Sequence, residues 1–392
     1  MTESNGKTNG PARFVGKYVD DLVLALTAAA VSNSHCVLLS RRPGLGKTTI
    51  TRHVINKMFG NSHVFIRLDA STPPEKVAGV PDIARLIDPK NPEYVLKRDG
   101  TAYDPAAKAI ILDEIGRPMD PIFDILLDVM DRQDVDARDA PTIIGTSNFM
   151  PTSARTEAMR DRIALWVWLT DEQLDPAEVV KNQMRAGWGG LETGNNLPDL
   201  ATIQRVRDAA PGANAVEAVS NVIAALTKVA QKGLVDEDTH QVKARFTVNP
   251  RRWSQWWKVL FYVTVLRTDD PDFSTVHPDA LRCLQWLYPL ESENDAANWR
   301  QIVAGVQDPT AAIKAKIVRD VFTVFRKTAE EVSQGIIKSS DAAERLGRAL
   351  ALAVENARET GVLDDEIQGE IAKLQAELAK VIRGENPFKG GE

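Results

Sequence analysis

The run Arg41-Arg42-Pro43-Gly44-Leu45-Gly46-Lys47-Thr48-Thr49 constrains this chain more than any other feature. It follows the apolar, strand-like run Cys36-Val37-Leu38-Leu39 and precedes a helical pattern from Thr48 to Met58. Strand, glycine-rich turn, Lys-Thr and helix in that order predict a phosphate-binding loop. Gly44 and Gly46 let the backbone curl so that successive N–H groups converge on phosphate oxygens. The helix that follows adds the positive end of its dipole. Lys47 is placed to reach the β- and γ-phosphates, and the Thr48 hydroxyl to ligate Mg²⁺. Pro43, Leu45 and Thr49 complete the binding run. Arg41 stands where the pattern G-x-x-x-x-G-K-S/T has its first glycine.

A second segment belongs with the first. Ala109-Ile110-Ile111-Leu112 is apolar throughout, as a central parallel strand covered on both faces must be, and it ends in Asp113-Glu114. Asp113 at the strand's carboxyl end is suited to hold Mg²⁺ through its water shell. Glu114, next along, is suited to polarise an attacking water.

Alternating strand and helix patterns continue to about residue 170. They include the strands 63–68, 142–148 and 165–169 and a helix from Pro118 to Asp131. This predicts an α/β fold with a doubly wound parallel sheet. Between the second strand and the acidic strand, Tyr94–Arg98, Asp99-Gly100 and Thr101–Tyr103 read as a β-hairpin. Helical patterns dominate after residue 175, notably Ala215–Lys232 and Pro250–Leu266. Trp253, Trp256 and Trp257 are expected in the core of the latter's domain rather than as base-stacking platforms. Gly187–Asn196 reads as a loop. Leu363–Arg383 carries an apolar seam through Ile367, Ile371, Leu374, Leu378 and Ile382. The expected divisions are a loose arm 1–13, a nucleotide-binding α/β domain 14–172, a helical lid 173–290 and a helical C-terminal extension 291–392.

Composition excludes several classes. At 392 residues, with 43% hydrophobic and 26% charged residues, the balance is that of a soluble globular protein. A net charge of −6 argues against a general attraction to nucleic acid. Two cysteines in apolar surroundings form no disulfide framework or zinc site. The polar first twelve residues lack a signal-peptide core, and no apolar run is long enough for a membrane span. A cytoplasmic location is expected.

Taken together, these residues resemble the AAA+ ATPases, specifically the MoxR-like branch related to the magnesium chelatase ATPase subunit. Val15-Gly16-Lys17 resembles the family's opening, about twenty residues ahead of the first strand, and implies nucleotide contacts from Val15 and Gly16. Arg67–Gly79, with Pro73-Pro74, resembles the segment leading into a β-hairpin inserted in helix 2. Asp113-Glu114-Ile115-Gly116-Arg117 is similar to the family's D-E-I-N-R, with Gly116 replacing Asn. The resemblance covers about residues 14–290 and leaves the last hundred without a counterpart.

The resemblance implies further roles. Thr146-Ser147-Asn148 matches the strand end called sensor 1, with Asn148 on the γ-phosphate or the attacking water. Met159-Arg160-Asp161-Arg162-Ile163 resembles the segment carrying the arginine finger. Arg162 takes the finger's position, and Arg160 is a second candidate. Asn249-Pro250-Arg251 resembles the lid motif, making Arg251 the sensor 2 residue reaching the phosphates. ATP and Mg²⁺ are the implied ligands. The implied assembly is a ring, usually a hexamer, that remodels or matures a protein client, with metal-cofactor insertion and complex assembly as typical tasks. Asp69-Ala70-Ser71-Thr72 lacks the second serine of the metal motif of von Willebrand factor A domains, so a partner of that type would be a separate protein. A nucleic-acid-linked motor and a nucleotide-gated scaffold with little turnover are the alternatives from other classes.

Overall fold

Five short runs of apolar and β-branched residues fold as parallel strands, and helices between successive strands return the chain over the sheet. The computed structural model describes residues 12–13, 17–87, 95–118, 120–135, 140–150, 154–169, 191–192, 197–235, 242–244, 246–289, 292–307 and 336–359, with residue 177 and short stretches between 317 and 376. It divides into two compact units, Met1–Arg300 and Gln301–Glu392.

The first unit opens with helix α1 (Lys17–Ser32), strand β1 (His35–Leu39), helix α2 (Lys47–Phe59) and strand β2 (His63–Arg67). Strand β3 (Ala109–Asp113), helix α3 (Asp120–Val135), strand β4 (Thr142–Ser147), helix α4 (Ala154–Arg162) and strand β5 (Ile163–Trp168) complete the α/β part. The sheet order is β2-β3-β4-β1-β5, all parallel. Strand β1 is buried along its whole length, and so are β4 and β5, which explains their nearly continuous apolar sequences. The order reverses direction beside β1, so the carboxyl ends of β1, β3 and β4 open onto one crevice at the topological switch point. The doubly wound sheet expected from the sequence is the observed one.

Helices α5 (Leu200–Arg207), α6 (Ala213–Lys232), α7 (Pro250–Thr268), α8 (Pro278–Cys283) and α9 (Glu293–Gln307) follow. Helix α7 starts where Asn249 caps it, its side chain accepting from Arg252 N at 2.9 Å with Pro250 at the first helical position. Helix α1 packs against α7, α5 and α8. Three arginines fasten these helices to the α/β part. Arg207 donates to Ala30 O and Thr142 Oγ1, Arg282 to Asp21 at 2.7 Å, and Arg252 to Ile163 O at 2.6 Å and Arg160 O. Burial pushes Arg207 and Arg252 down to about 10, so each remains a cation near neutrality. Burial raises the Asp21 carboxyl, against the pull of Arg282.

In the second unit, helix α10 (Ser339–Glu359) supplies Ala342, Leu346, Leu350, Ala353 and Ala357 to a core shared with Ile317, Val321 and Phe325. Among the described residues no helix is long and apolar enough to cross a membrane.

Four expectations change. Leu96–Lys97 pairs antiparallel with Val80–Pro81, not with Thr101–Tyr103. The Asp99-Gly100 turn forms, but the Asp104 carboxylate accepts from Gly100 N and Ala106 N, curling the chain into turns where a second strand was expected. Ala12–Arg13, assigned to a loose arm, pairs in parallel with Leu191–Glu192, which had been read as loop. Trp256 is fully buried, whereas Trp253, one turn earlier, is 39% exposed and donates from Nε1 to Thr227 Oγ1 at 3.1 Å. The seam helix Leu363–Arg383 lies largely outside the described residues.

Candidate functional site

The phosphate loop leaves β1 at Ser40 and enters α2 at Lys47. Gly44 and Gly46 have φ of 81° and 74°, the left-handed region that a side chain disfavours, and Gly46 is the N-cap of α2. Arg41, Pro43 and Gly44 are exposed, Leu45 is buried beneath the loop, and Thr49 faces outward. Lys47 is buried, and its Nζ donates to Asn148 Oδ1 at 2.9 Å. Burial lowers the Lys47 ammonium, while the Glu114 and Asp113 carboxylates pull it back up. A desolvated cation facing two acids is ready to exchange partners for phosphate oxygens.

Strand register builds the rest. Asp113 pairs with Thr146 across β3 and β4. Asp113 Oδ1 accepts from Thr48 Oγ1 at 2.6 Å and from Thr146 Oγ1 at 2.7 Å. Thr48 and Asp113 therefore touch, a hydroxyl beside a carboxylate, a pair that could hold an ion such as Mg²⁺. Both supply hard oxygen ligands, and such an ion takes its remaining ligands from phosphate and water. Thr146 lies in the sensor 1-like strand end, but the sequence assigned its hydroxyl no role. Its signal was present in the strand alignment, since a hydroxyl opposite Asp113 is dictated once β3 and β4 are in register.

Glu114 adopts φ of 62°, a left-handed conformation for a residue with a side chain. Such strain persists only where the surroundings over-determine it. Here Ile115 N donates to Thr146 O and Arg117 N to Glu114 O, closing a tight turn that swings Glu114 off the strand line. Glu114 Oε2 lies 3.0 Å from Arg117 Nε but is buried without an aligned hydrogen bond. An acceptor in that condition has capacity for a water. Gly116 has a steric reason to be glycine: a Cβ there would stand 2.2 Å from Phe149 O and 2.9 Å from Ser147 Oγ. The turn after β3 thus lies directly on the loop that carries Asn148.

Lys47, Thr48, Asp113, Glu114 and Asn148 are thereby brought together at the carboxyl ends of β1, β3 and β4. Arg162 and Arg251 are not part of that cluster. Arg162 immediately precedes the first residue of β5, at the opposite, amino ends of the parallel strands. Its guanidinium donates to both oxygens of Asp131 and to Ala158 O at 2.9 Å. Arg251 donates to Asp161 Oδ2 at 3.0 Å, and Asn249 to Asp161 Oδ1 at 2.9 Å. Burial pushes the Asp161 carboxyl up, but these hydrogen bonds and the Arg252 charge outweigh it and hold it below its usual range. Arg162, Arg251, Lys258 and His35 line one cavity of about 60 Å³ at this edge. Arg251, expected to reach the phosphates, lies beside the end of α4 in its own chain, where Asp161 accepts its hydrogen bond. Asp131 and Lys258 have no motif, and Asp161 lies in the finger-like segment without an assigned role; what each touches emerges only from the tertiary arrangement. Val15 and Gly16 lie outside the described residues.

A family model described as the MoxR domain in the MoxR-vWA-beta-propeller ternary systems matches residues 7–207, about half of the chain. The comparison with curated proteins finds no match. Among solved structures, the chain is similar to a protein of Cytophaga hutchinsonii assigned as an ATPase, at 15% identity over 74% of this chain and 92% of that one, with a TM-score of 0.49. It is also similar to Cdc6p of Pyrobaculum aerophilum, at 13% identity over 92% and 85% of the two chains, with a TM-score of 0.27. NtrX of Brucella abortus, solved with ATP, aligns at 14% identity over 86% and 68%, with a TM-score of 0.23.

Proposed function

This chain belongs to the MoxR family of AAA+ ATPases, and from that membership we propose that it is a Mg²⁺-dependent, ring-forming ATPase that remodels or matures a protein client. The observation carrying the catalytic part is a pair of hydrogen-bonded groups at the same strand ends, Lys47 with Asn148 and Asp113 with Thr48 and Thr146, with Glu114 next to Asp113. Lys47 and the N–H groups of the Gly44–Lys47 turn bind the phosphates of ATP. Thr48 and Asp113 would hold Mg²⁺, which would supply positive charge against the transferred phosphoryl group. Glu114 accepts a hydrogen bond from the attacking water and polarises it toward the γ-phosphorus. Asn148 moves between Lys47 and that water, fixing its direction of approach.

Arg162 completes the site of a neighbouring subunit. It lies at the far end of the sheet from its own phosphate loop, so it serves as a finger only in trans. Arg160 is the weaker candidate, since it is 9% exposed and a finger must reach across an interface. Arg251 shares the Arg162 edge and faces the same neighbour. The description of the matching family supports a partner carrying a von Willebrand factor A domain, and a β-propeller protein as a third component. A cytoplasmic location follows from the demand for ATP.

The experiment is phosphate release by the Glu114→Gln and Lys47→Ala forms. Glu114→Gln is expected to bind ATP normally while turnover falls by about two orders of magnitude. Lys47→Ala is expected to weaken nucleotide binding itself. Wild-type phosphate release by Glu114→Gln would remove the catalytic assignment. Capture by the stalled Glu114→Gln form of a protein with a von Willebrand factor A domain tests the partner.

A further inference from the structure

The chemistry proposed above leaves one carboxylate without a task. Asp131 lies on α3, at the end remote from the Glu114 loop. Its two oxygens accept from Nε and Nη2 of Arg162, the latter at 2.8 Å, while Arg162 Nη1 donates to Ala158 O at 2.9 Å. Each of the three guanidinium nitrogens thus has a partner on α3 or α4. The Asp131 side chain is 44% exposed and that of Arg162 21%. The Arg162 hydrogen bond holds the Asp131 carboxyl below its ordinary range, against the smaller opposing effect of burial, and the pair remains charged at neutral pH.

An exposed ion pair of this kind contributes little to folding stability. A two-point clamp has a different consequence: it fixes the plane and direction of a side chain that otherwise samples many rotamers. Fixed cations stabilise developing charge without reorganising at the moment of reaction. The neighbouring charged groups do not substitute for Asp131. Asp161 engages Arg251 and Asn249, and Lys258 and His35 on the same cavity are bases.

We propose that Asp131 is a positioning residue, setting the pose in which Arg162 is presented to the next subunit's nucleotide. The proposal rests on the reading of Arg162 as a trans finger. A misplacement of about 1 Å at a reacting centre costs on the order of 10²-fold in rate. Loss of the clamp is therefore expected to lower kcat by about ten- to a hundred-fold with KM little changed.

The test uses the full chain and four variants: Arg162→Ala, Asp131→Asn, Asp131→Glu and the double variant Asp131→Asn/Arg162→Ala. Phosphate release and binding of a fluorescent ATP analogue are measured for each. Asp131→Asn is expected to bind the analogue like wild type but to turn over slowly, and Asp131→Glu to recover part of the loss. If Asp131 acts through Arg162, the double variant is no slower than Arg162→Ala alone. Losses that multiply in the double variant, or a wild-type kcat for Asp131→Asn beside an inactive Arg162→Ala, overturn the proposal and leave the finger reading standing. Wild-type turnover by Arg162→Ala overturns both. Should Asp131→Asn not fold, as judged by circular dichroism, Asp131→Ser takes its place under the same criteria.

Discussion

At Gly116 a missing methyl group decides how the turn after β3 meets the loop that carries Asn148. The backbone carbonyl of Phe149 fills the space a Cβ would take, at 2.2 Å, and a carbonyl cannot rotate away as a side-chain tip can. Gly116→Ala is expected to push the Asn148 loop outward. The cost is about 1–3 kcal/mol of stability, with a fall in phosphate release larger than the shift in melting temperature explains. A variant that melts and turns over like wild type would show that the two loops do not need this contact. His35 makes a prediction about pH. Burial pushes it down from 6.5 to about 4, and its Nδ1 accepts from Ile143 N at 3.1 Å, so the folded state holds it neutral. Between those two values the unfolded chain binds the proton and the folded chain does not. Its contribution is therefore intact above 6.5 and is lost progressively as pH falls toward 4. His35→Gln, which keeps an acceptor but cannot titrate, is expected to flatten the stability profile across that window in denaturant melts.

Among the elements, α7 ties the helices after residue 197 to the end of α4. Asn249 and Arg251 take the Asp161 side chain, Gln255 donates to Asp161 O and Arg162 O, and Arg252 holds the carbonyls of Arg160 and Ile163. These contacts satisfy carbonyls at the end of α4 that have no partner within the helix. Replacing Arg252 by Met removes the donor to the buried Arg160 carbonyl, at about 1–3 kcal/mol, while Ile163 O keeps its hydrogen bond from Trp166 Nε1. The expected result is a lower melting temperature together with reduced turnover, because the residues on either side of Arg162 lose their support. Arg252→Lys is not expected to rescue it, since a point charge does not span two acceptors as a guanidinium fork does. A Lys variant with wild-type melting would show that charge, rather than geometry, is what the site requires.

For the whole molecule, the position of Arg162 opposite its own phosphate loop has a consequence for assembly. A finger that works only in trans has no role in a monomer, and a head-to-tail contact of this kind closes into a ring when its rotation permits. ATP bound across such a contact favours the assembled state by mass action. Mg²⁺-ATP, or a slowly hydrolysed analogue, is expected to shift the 43.1 kDa chain toward a hexamer in light scattering, and nucleotide removal to reverse the shift. A monomer at micromolar protein with saturating Mg²⁺-ATP would exclude the ring and return attention to a scaffold with little turnover.

Much of the α/β part was legible in the sequence, because its determinants are local. An apolar run ending in Asp113-Glu114 has one stable environment, the middle of a parallel sheet. Gly44-Leu45-Gly46-Lys47-Thr48 has few conformations open to it, so Lys47, Thr48, Asp113 and Glu114 could be named from the residues, while Asn148 came from the family resemblance and Thr146 only from strand register. The amino-end edge was not legible. Arg251 and Arg252 are adjacent and chemically alike, and only packing separates an arginine held at a surface aspartate from one buried on two carbonyls. Asp131 and Asp161 lie in helices where any solvated acid would fit the pattern. The same holds for Leu96–Lys97, whose alternation suits a strand but does not say that Val80–Pro81, rather than Thr101–Tyr103, is its partner. Local sequence determines what a segment prefers to be; which distant segment satisfies its hydrogen bonds and charges is decided when the chain closes on itself.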